Sequence, residues 1–327
     1  MIWLITEDKL FSPHALHIPD GFLSTPIALV GWVLAVIGIA LAVRQTREQL
    51  GERQIPVMGV LAAFIFAAQA VNFPIAAGTS GHLLGGALAA IVMGPWAATL
   101  IMTAVIAVQG LLFQDGGLLV MGWNILNMGV FTAFTGYAAY AFVRRISRSP
   151  RAARLAGGFL GGWSSVMVGA IATAFLLAAS GTSPLRLALP AMAGVHALIG
   201  LGEALITAGA IAFLMTVRPE VLREGETAPG RGSATFVVFG LLAAIIIAVF
   251  SPLASPSPDG LESIAEKQGF LGLGHAPVYE ILPDYTIPLI GNEALTTILA
   301  VGAGTLIVFA VALLLGRIAA RQPLQRE

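Results

Sequence analysis

The chain has 327 residues, 57% of them hydrophobic and 10% charged, with a net charge of zero and no cysteine. An ordinary soluble domain carries roughly 25% charged residues, so this composition belongs to a polytopic membrane protein. It excludes a basic face for nucleic acid, disulfide frameworks, thiolate metal sites and cysteine nucleophiles, and it leaves nitrogen and oxygen as the ligands for any metal, a donor set suited to nickel, cobalt or copper(II).

Residues 1–15 make a poor secretory signal. A positive n-region is missing, and Glu7, Asp8 and Lys9 follow directly on a short apolar run. Ala15 is a candidate −1 residue for cleavage, with Pro13 a weak match at −3. Next comes Leu16-His17-Ile18-Pro19-Asp20-Gly21-Phe22-Leu23-Ser24. Pro19 fixes its own dihedral and pushes Ile18 toward an extended conformation, and Gly21 permits a turn. The segment therefore reads as a rigid arm that dips into a bundle from one side.

Nine apolar segments come after it, at about 27–43, 57–72, 83–93, 97–113, 118–143, 156–180, 190–217, 234–252 and 294–316. The third is too short to cross a membrane alone and reads as a buried or broken element. In the first, Gly31/Ala35 and Gly38/Ala42 form small-residue pairs that let helix backbones approach closely, for internal packing or for a partner. Positive charges set the orientation. With the amino terminus outside, 14 of the 17 basic residues fall on the inner side, and only Lys9, Arg186 and Lys267 lie outside.

The second notable stretch, Thr79-Ser80-Gly81-His82-Leu83-Leu84-Gly85-Gly86, places a histidine among glycines that allow backbone and ligand to come close. A histidine there serves equally as a structural hydrogen-bonding group or as a ligand. Gln114-Asp115-Gly116-Gly117 reads as a turn at an outer helix end, and Asn72, Asn124 and Asn127 as amides that hold a loop or support a ligand. His196 and Glu203, two helical turns apart, share a face and form a candidate intramembrane polar pair. A polar loop at 220–232 marks a boundary. Beyond it the outer segment 251–292 carries Asp259, Glu262, Glu266, Glu280 and Asp284. Its composition favours a solvated loop; the alternative is a small accessory domain over a metal entrance, where acidity would concentrate cations.

Taken together, His17-Ile-Pro-Asp-Gly-Phe-Leu-Ser, Asn72-Phe-Pro, Gly78-Thr-Ser-Gly-His82-Leu-Leu-Gly-Gly, Gly94-Pro-Trp96, Phe113-Gln-Asp-Gly-Gly117, Asn124-x-x-Asn127-Met128 and His196-Ala-Leu-Ile-Gly-x-Gly-Glu203 resemble the CbiM/NikM family, the substrate-binding membrane components of cobalt and nickel energy-coupling factor (ECF) transporters. Ser257-Pro-Asp-Gly-Leu-Glu262, with an outer loop and a last span behind it, resembles the PDGLE or CbiN-like domain that some members carry. The resemblance implies an all-α polytopic membrane helical bundle of about seven spans over 16–220. Residues 233–327 would form a PDGLE/CbiN-like domain of two transmembrane helices flanking an outer loop. It implies a multi-pass subunit of a bacterial or archaeal cell (inner) membrane that captures Ni2+ or Co2+ as transported substrate. Its partners would be a transmembrane coupling (T) subunit, two ATPase (A) subunits and membrane lipid, with no nucleic acid and no organic cofactor. The metal ligands carried over are the main-chain nitrogen of Leu16, His17 and His82, with Asn72, Ser80, Asn124 and Asn127 as supporting residues.

One departure concerns Leu16. As written, its nitrogen is a peptide amide, a far poorer ligand than a free amine. A start codon read as leucine, or cleavage after Ala15, would supply the amine. The two lysines, Lys9 and Lys267, sit in no phosphate-binding loop, so ATP hydrolysis is expected on separate subunits. The main rival reading is an ion-coupled secondary metal carrier with His196 and Glu203 as its proton relay. An intramembrane hydrolase is disfavoured, because no His-Glu-x-x-His motif occurs and Ser80 and His82 are too close in sequence for a usual Ser/His pair.

Overall fold

The computed structural model describes residues 17–75, 78–222, 233–288 and 290–320. The expectations placed on Leu16 and on Met1 to Ala15 lie outside these residues. Eleven α-helices and one two-residue-per-strand hairpin make up the described fold. Helix α1 (Thr25–Gln49) starts on Pro26 and stops at Leu50; α2 (Ile55–Gln69) starts on Pro56. Proline is tolerated in the first helical turn because its missing N–H has no partner there in any case. After α2 the chain leaves helical geometry, pairs β1 (Phe73–Pro74) antiparallel with β2 (Ser80–Gly81), and runs irregularly to α3 (Gly86–Met93). Helix α4 (Pro95–Val108) comes at once and ends in a wide π-type turn at Gln109–Phe113. Helices α5 (Met121–Asn124) and α6 (Thr132–Ile146) are joined by a second π-type stretch, Ile125–Phe131. The long α7 (Pro150–Ala179) and α8 (Leu185–Val217) form an antiparallel pair. Helices α9 (Ser233–Val249), α10 (Gly260–Gln268) and α11 (Glu293–Ala320) complete the chain.

Among the described residues, 7 helical stretches are long and apolar enough to cross a membrane, at 25–47, 95–113, 121–146, 150–179, 185–217, 235–253 and 293–320. Helix α2 is apolar but shorter. The short third segment of the sequence is α3, whose residues from Gly86 to Ile91 are buried, so its neighbours shelter the irregular chain before it. Exposed apolar residues such as Val33, Leu205, Phe213 and Phe239 cover the outside of the long helices, as a lipid-facing surface requires.

Backbones meet closely where side chains are small. A Cβ on Gly161 of α7 would stand 2.7 Å from the carbonyl oxygen of Gly136 on α6, and one on Gly162 would stand 3.0 Å from Ala204 Cα on α8. The α1 stripe turns inward: Ala35 and Ala42 are buried, and a Cβ on Gly31 would strike the Trp123 ring. Internal packing thus uses the small-residue face, and α1 turns Leu29, Val33 and Val36 outward. Helices α9 and α11 pack against α2, placing Ala300, Val301, Val308 and Ala312 in the same core cluster as Met58, Ala62 and Ile65.

The outer segment 251–292 departs from a solvated loop at its start, where residues 259–265 are buried, whereas residues 275–281 are exposed as its composition favours. Leu261, Ile264 and Ala265 of α10 are buried with Ile18, Phe22 and Leu23 of the amino-terminal arm, and Asp259 and Glu262 are each only 8% exposed. Composition misleads here because the acidic residues cap and flank a short helix whose apolar side is packed.

Replacing Gly161 with valine should separate α6 from α7 and destabilise the fold by about 1–3 kcal/mol, read as a lower melting temperature of the purified protein in detergent.

Candidate metal centre

Four irregular segments converge at one end of the bundle: the arm 17–24, the stretch 73–85, the turn 114–120, and the start of the outer segment. The arm bends at Gly21, whose φ of +95° suits glycine alone, and Leu273 O crosses so near that a Cβ would sit 1.9 Å from it. Gly116 and Gly117 make room for the arm in the same way, since Cβ atoms there would strike His17 Cβ and Asp20. The turn that looks generic in sequence is a cradle for residues 17–20.

Polar groups then fix the arm. Asn124 brackets Ile18, accepting from its N–H at 3.1 Å and donating to its carbonyl at 3.1 Å. Gly117 N–H donates to Ile18 O at 3.0 Å. The Asp20 carboxylate accepts from the N–H groups of Leu119 and Val120 at 3.2 and 3.1 Å. The His82 segment is held from below. Gln109 donates to Gln69, and Gln69 donates to Leu84 O, each at 2.9 Å. Glu203, fully buried, accepts from the N–H groups of Leu84 at 2.6 Å and Gly85 at 3.0 Å.

These restraints bring His17 and His82 together, with ring centroids 6.2 Å apart. They line one cavity of about 70 Å³ together with His196, Asn124, Asn127, Thr173 and Asp259. His17 Nδ1 donates to Asp115 Oδ1 at 2.8 Å, and Tyr285 OH donates to Asp115 Oδ2 at 2.6 Å. His82 Nδ1 lies 2.9 Å from Leu83 O, and His196 Nδ1 lies 2.8 Å from Met192 O. An oxygen acceptor at Nδ1 requires the proton there, so Nε2 becomes the lone-pair nitrogen of a neutral imidazole. A carboxylate or carbonyl behind one ring nitrogen is how ligating histidines are oriented. His17 Nε2 is buried and has no hydrogen-bond partner among the described residues. Side chains alone do not close a site: among the described residues, no group of three His, Asp or Glu side chains is placed to hold a metal ion.

The remaining expected residues divide by position. Asn127 lines the cavity, donates to Thr173 Oγ1 at 2.9 Å and leaves its buried Oδ1 unpartnered. Ser80 and Asn72 instead hold the outer segment. Ser80 donates to Ser257 O at 2.7 Å, and Asn72 O accepts from Ser255 N–H at 2.9 Å. Asn72 borders a separate outer cavity with Ser251 and Glu293. His196 and Glu203 do share a face of α8, but both carboxylate oxygens serve the Leu84–Gly85 backbone and not His196.

Three residues at the site are not among those expected to hold or support the metal: Asp115, Tyr285 and Asp259. Asp115 sits in what reads as a turn, and Tyr285 lies 170 positions from it. Tyr285 stacks on Phe113 with centroids 4.5 Å apart and, like Asp284, adopts a left-handed backbone, with φ of 56° and 49°. Such conformations cost about 1–3 kcal/mol each and persist where surroundings impose them. Burial pushes the Asp259 carboxyl up to about 6, with Asp115 adding to the rise and the Glu262 N–H and His17 opposing it. Burial likewise raises Glu262 to about 8, with Asp259 as a second cause.

A cavity lined by imidazoles, in a bundle with seven helices able to cross a membrane among the described residues, defines a multi-pass membrane protein with room for a small ligand. The chain belongs to the CbiM family, described as the cobalt uptake substrate-specific transmembrane region, which it matches over residues 17–221; residues 234–321 match the PDGLE domain. It is 36% identical to an Archaeoglobus fulgidus protein provisionally named fused nickel transport protein NikMN, over 93% of this chain and 99% of that one. It is 29% identical to the fused nickel transport protein NikMN of Rhodobacter capsulatus (90% and 95%) and 32% identical to the cobalt transport protein CbiM of Sorangium cellulosum (63% and 94%). A crystal structure of a truncated transition metal transporter aligns with a TM-score of 0.53 at 30% identity, covering 61% of this chain and 98% of that one.

Glu203→Ala would strand two buried N–H groups and should cost about 2–5 kcal/mol of stability, with Glu203→Gln, which keeps one acceptor, costing less. Thermal unfolding of both variants in detergent checks the order.

Proposed function

We propose that this chain is the substrate-capture subunit of an ATP-driven ECF-type importer of Ni2+ or Co2+. A transmembrane coupling subunit and two ATPase subunits would supply the energy. The observation that carries this reading is the pair of imidazoles, His17 and His82, lining one cavity with ring centroids 6.2 Å apart. The printed names of the relatives support nickel or cobalt as cargo. A bacterial or archaeal cell membrane with the site facing outward is supported by charge. Helices α1, α6 and α11 carry Arg47, Arg144, Arg145 and Arg317 in their last turns, and α1 begins directly after the arm that holds His17.

The ligands in this reading are His17, His82 and the main-chain nitrogen of Leu16, a residue outside the described ones. An all-nitrogen set suits a tetragonal Ni2+. A small chelate ring with the backbone nitrogen of His17 can close only through Nδ1, the atom that Asp115 holds in this structure. Loading by that route exchanges Asp115 for the metal. Asn124 and Asn127 hold the arm and the cavity wall, and Ser80 and Asn72 hold the outer segment over them.

Removal of either imidazole, His17→Ala or His82→Ala, should weaken nickel or cobalt binding by about a hundredfold or more, measured by competition with a chromophoric chelator on purified protein. Parental affinity in both variants would remove the site from consideration. Intact-mass analysis reports whether Leu16 carries a free amine. Full metal binding by a chain that retains Met1 to Ala15 would overturn the main-chain ligand. Vesicles holding this chain alone should accumulate no radioactive nickel, whereas vesicles that also hold the coupling and ATPase subunits should do so with ATP. Uptake by the chain alone, driven by a proton gradient, would favour an ion-coupled carrier instead.

A further inference from the structure

A second cavity, of about 460 Å³, lies where the end of α2, the end of α9 and the start of α11 come together. It shares no lining residue with the cavity of the imidazole pair. A water occupies about 30 Å³ of the liquid, so this space has room for an ion that keeps most of its hydration shell.

Two oxygens on its wall are left over by the fold. Ser251 is 3% exposed, and neither its Oγ nor the buried Oδ1 of Asn72 has a hydrogen-bond partner among the described residues. Buried polar atoms are nearly always partnered, so two orphans bordering one cavity point to a ligand that the protein itself does not supply. Donors around them are spent elsewhere. Ala254 N–H donates to Ser251 O at 3.0 Å, Ser255 N–H to Asn72 O at 2.9 Å, and Thr297 Oγ1 to Glu293 O at 3.0 Å. The Tyr285 hydroxyl is taken by Asp115. Pro252 and Pro256 have no N–H to offer. Asn292 caps α11 by accepting from Leu295 N–H at 2.9 Å, which leaves less of that helix end open to an anion. Charge points the same way: Asp284 and Glu293 line the cavity and are exposed, and no basic side chain is among the described residues that line it.

We infer that this outer cavity is a second cation site, separate from the imidazole pair, which takes a divalent cation with much of its water still attached. Asp284 and Glu293 supply the negative charge on its exposed part, and Asn72 Oδ1 and Ser251 Oγ supply neutral oxygens on its buried wall. The described residues form no cluster of three His, Asp or Glu side chains able to hold a metal, so water completes the shell here. Oxygen ligands with retained water suit hard ions such as Mg2+, Ca2+ or Mn2+, whereas a nitrogen set suits nickel. The inference therefore stands independently of what the imidazoles bind.

The test uses the full-length protein in detergent, titrated with Mn2+ and followed by the electron paramagnetic resonance signal of the free ion. One saturable Mn2+ per chain is expected, and it should persist in His17→Ala. The double variant Asp284→Asn, Glu293→Gln should weaken Mn2+ binding about tenfold or more; asparagine tolerates the left-handed backbone at 284, where φ is 49°. Ser251→Ala removes an oxygen with no hydrogen bond to lose, so it should leave the metal-free melting temperature no lower and weaken Mn2+ binding about threefold or more. Glu280→Gln changes an exposed acid of the same outer segment away from this cavity and should bind like the parent. Absence of saturable Mn2+ binding, or affinity within about twofold of the parent in either the double variant or Ser251→Ala, overturns the site. Loss of Mn2+ binding in His17→Ala overturns it as well, because the ion then sits at the imidazoles. Nickel affinity of the His17→Ala and His82→Ala variants tests the metal-capture reading separately.

Discussion

Irregular backbone inside an apolar bundle must have its N–H and C=O groups satisfied by protein, because lipid offers no partner. Much of this molecule answers that constraint. The arm at 17–24 and the stretch at 73–85 are the places where polar main chain enters the bundle, and each meets dedicated acceptors and donors. Glu203 takes two N–H groups of the Leu84–Gly85 turn, Gln69 satisfies Leu84 O, Asn124 satisfies both sides of Ile18, and Asp20 takes the N–H groups of Leu119 and Val120. These side chains look in sequence like isolated intramembrane polar residues. In the fold they are the means by which two non-helical segments, each carrying one histidine, are held at fixed separation.

The outer segment extends the same logic to a third piece of irregular chain. It donates from Ser255 N–H to Asn72 O, from His275 N–H to Asp20 O at 2.8 Å, and from Leu282 N–H to Leu112 O at 3.0 Å. Its acceptors at Ser257 and Pro258 receive Ser80. Tyr285 reaches Asp115, which in turn orients His17. Position of the His17 ring therefore depends on a hydroxyl supplied from far down the chain. The strap is not an appendage resting on a finished site, because it touches the arm, the His82 segment and the carboxylate behind His17 at once.

Helices and their limits are legible in the sequence because apolar runs, first-turn prolines and terminal arginines are local signals. The nine apolar segments coincide with helices, and even the short third one reads correctly as a buried piece, now α3. His17 and His82 stand out for equally local reasons: Pro19 and Gly21 beside the first, and Gly81, Gly85 and Gly86 beside the second, disrupt helix and let ligands approach. What stays hidden is pairwise and distant. Nothing near Asp115 announces a partner at His17 or at Tyr285. The glycines of Gln114-Asp115-Gly116-Gly117 read as a turn, although their reason is steric room for His17 and Asp20. The acidic outer segment looks solvated because composition counts charges without showing that Asp259 and Glu262 cap and flank a helix packed on its apolar side.

Cavity size sharpens the chemistry. A space of about 70 Å³ holds a handful of waters, so each protein atom that becomes a ligand there displaces one of them. The protein must then replace water twice over, once as ligand and once as dielectric. Imidazole nitrogen can answer the first need but is neutral, whereas a main-chain amide nitrogen binds a metal only after losing its proton and so also brings negative charge. Only buried anions answer the second. Asp115 does so from behind His17, where its distance from the cavity is set by the ring between them. Asp259, which the carboxyl-terminal strap brings to the cavity wall, is a second buried carboxylate there.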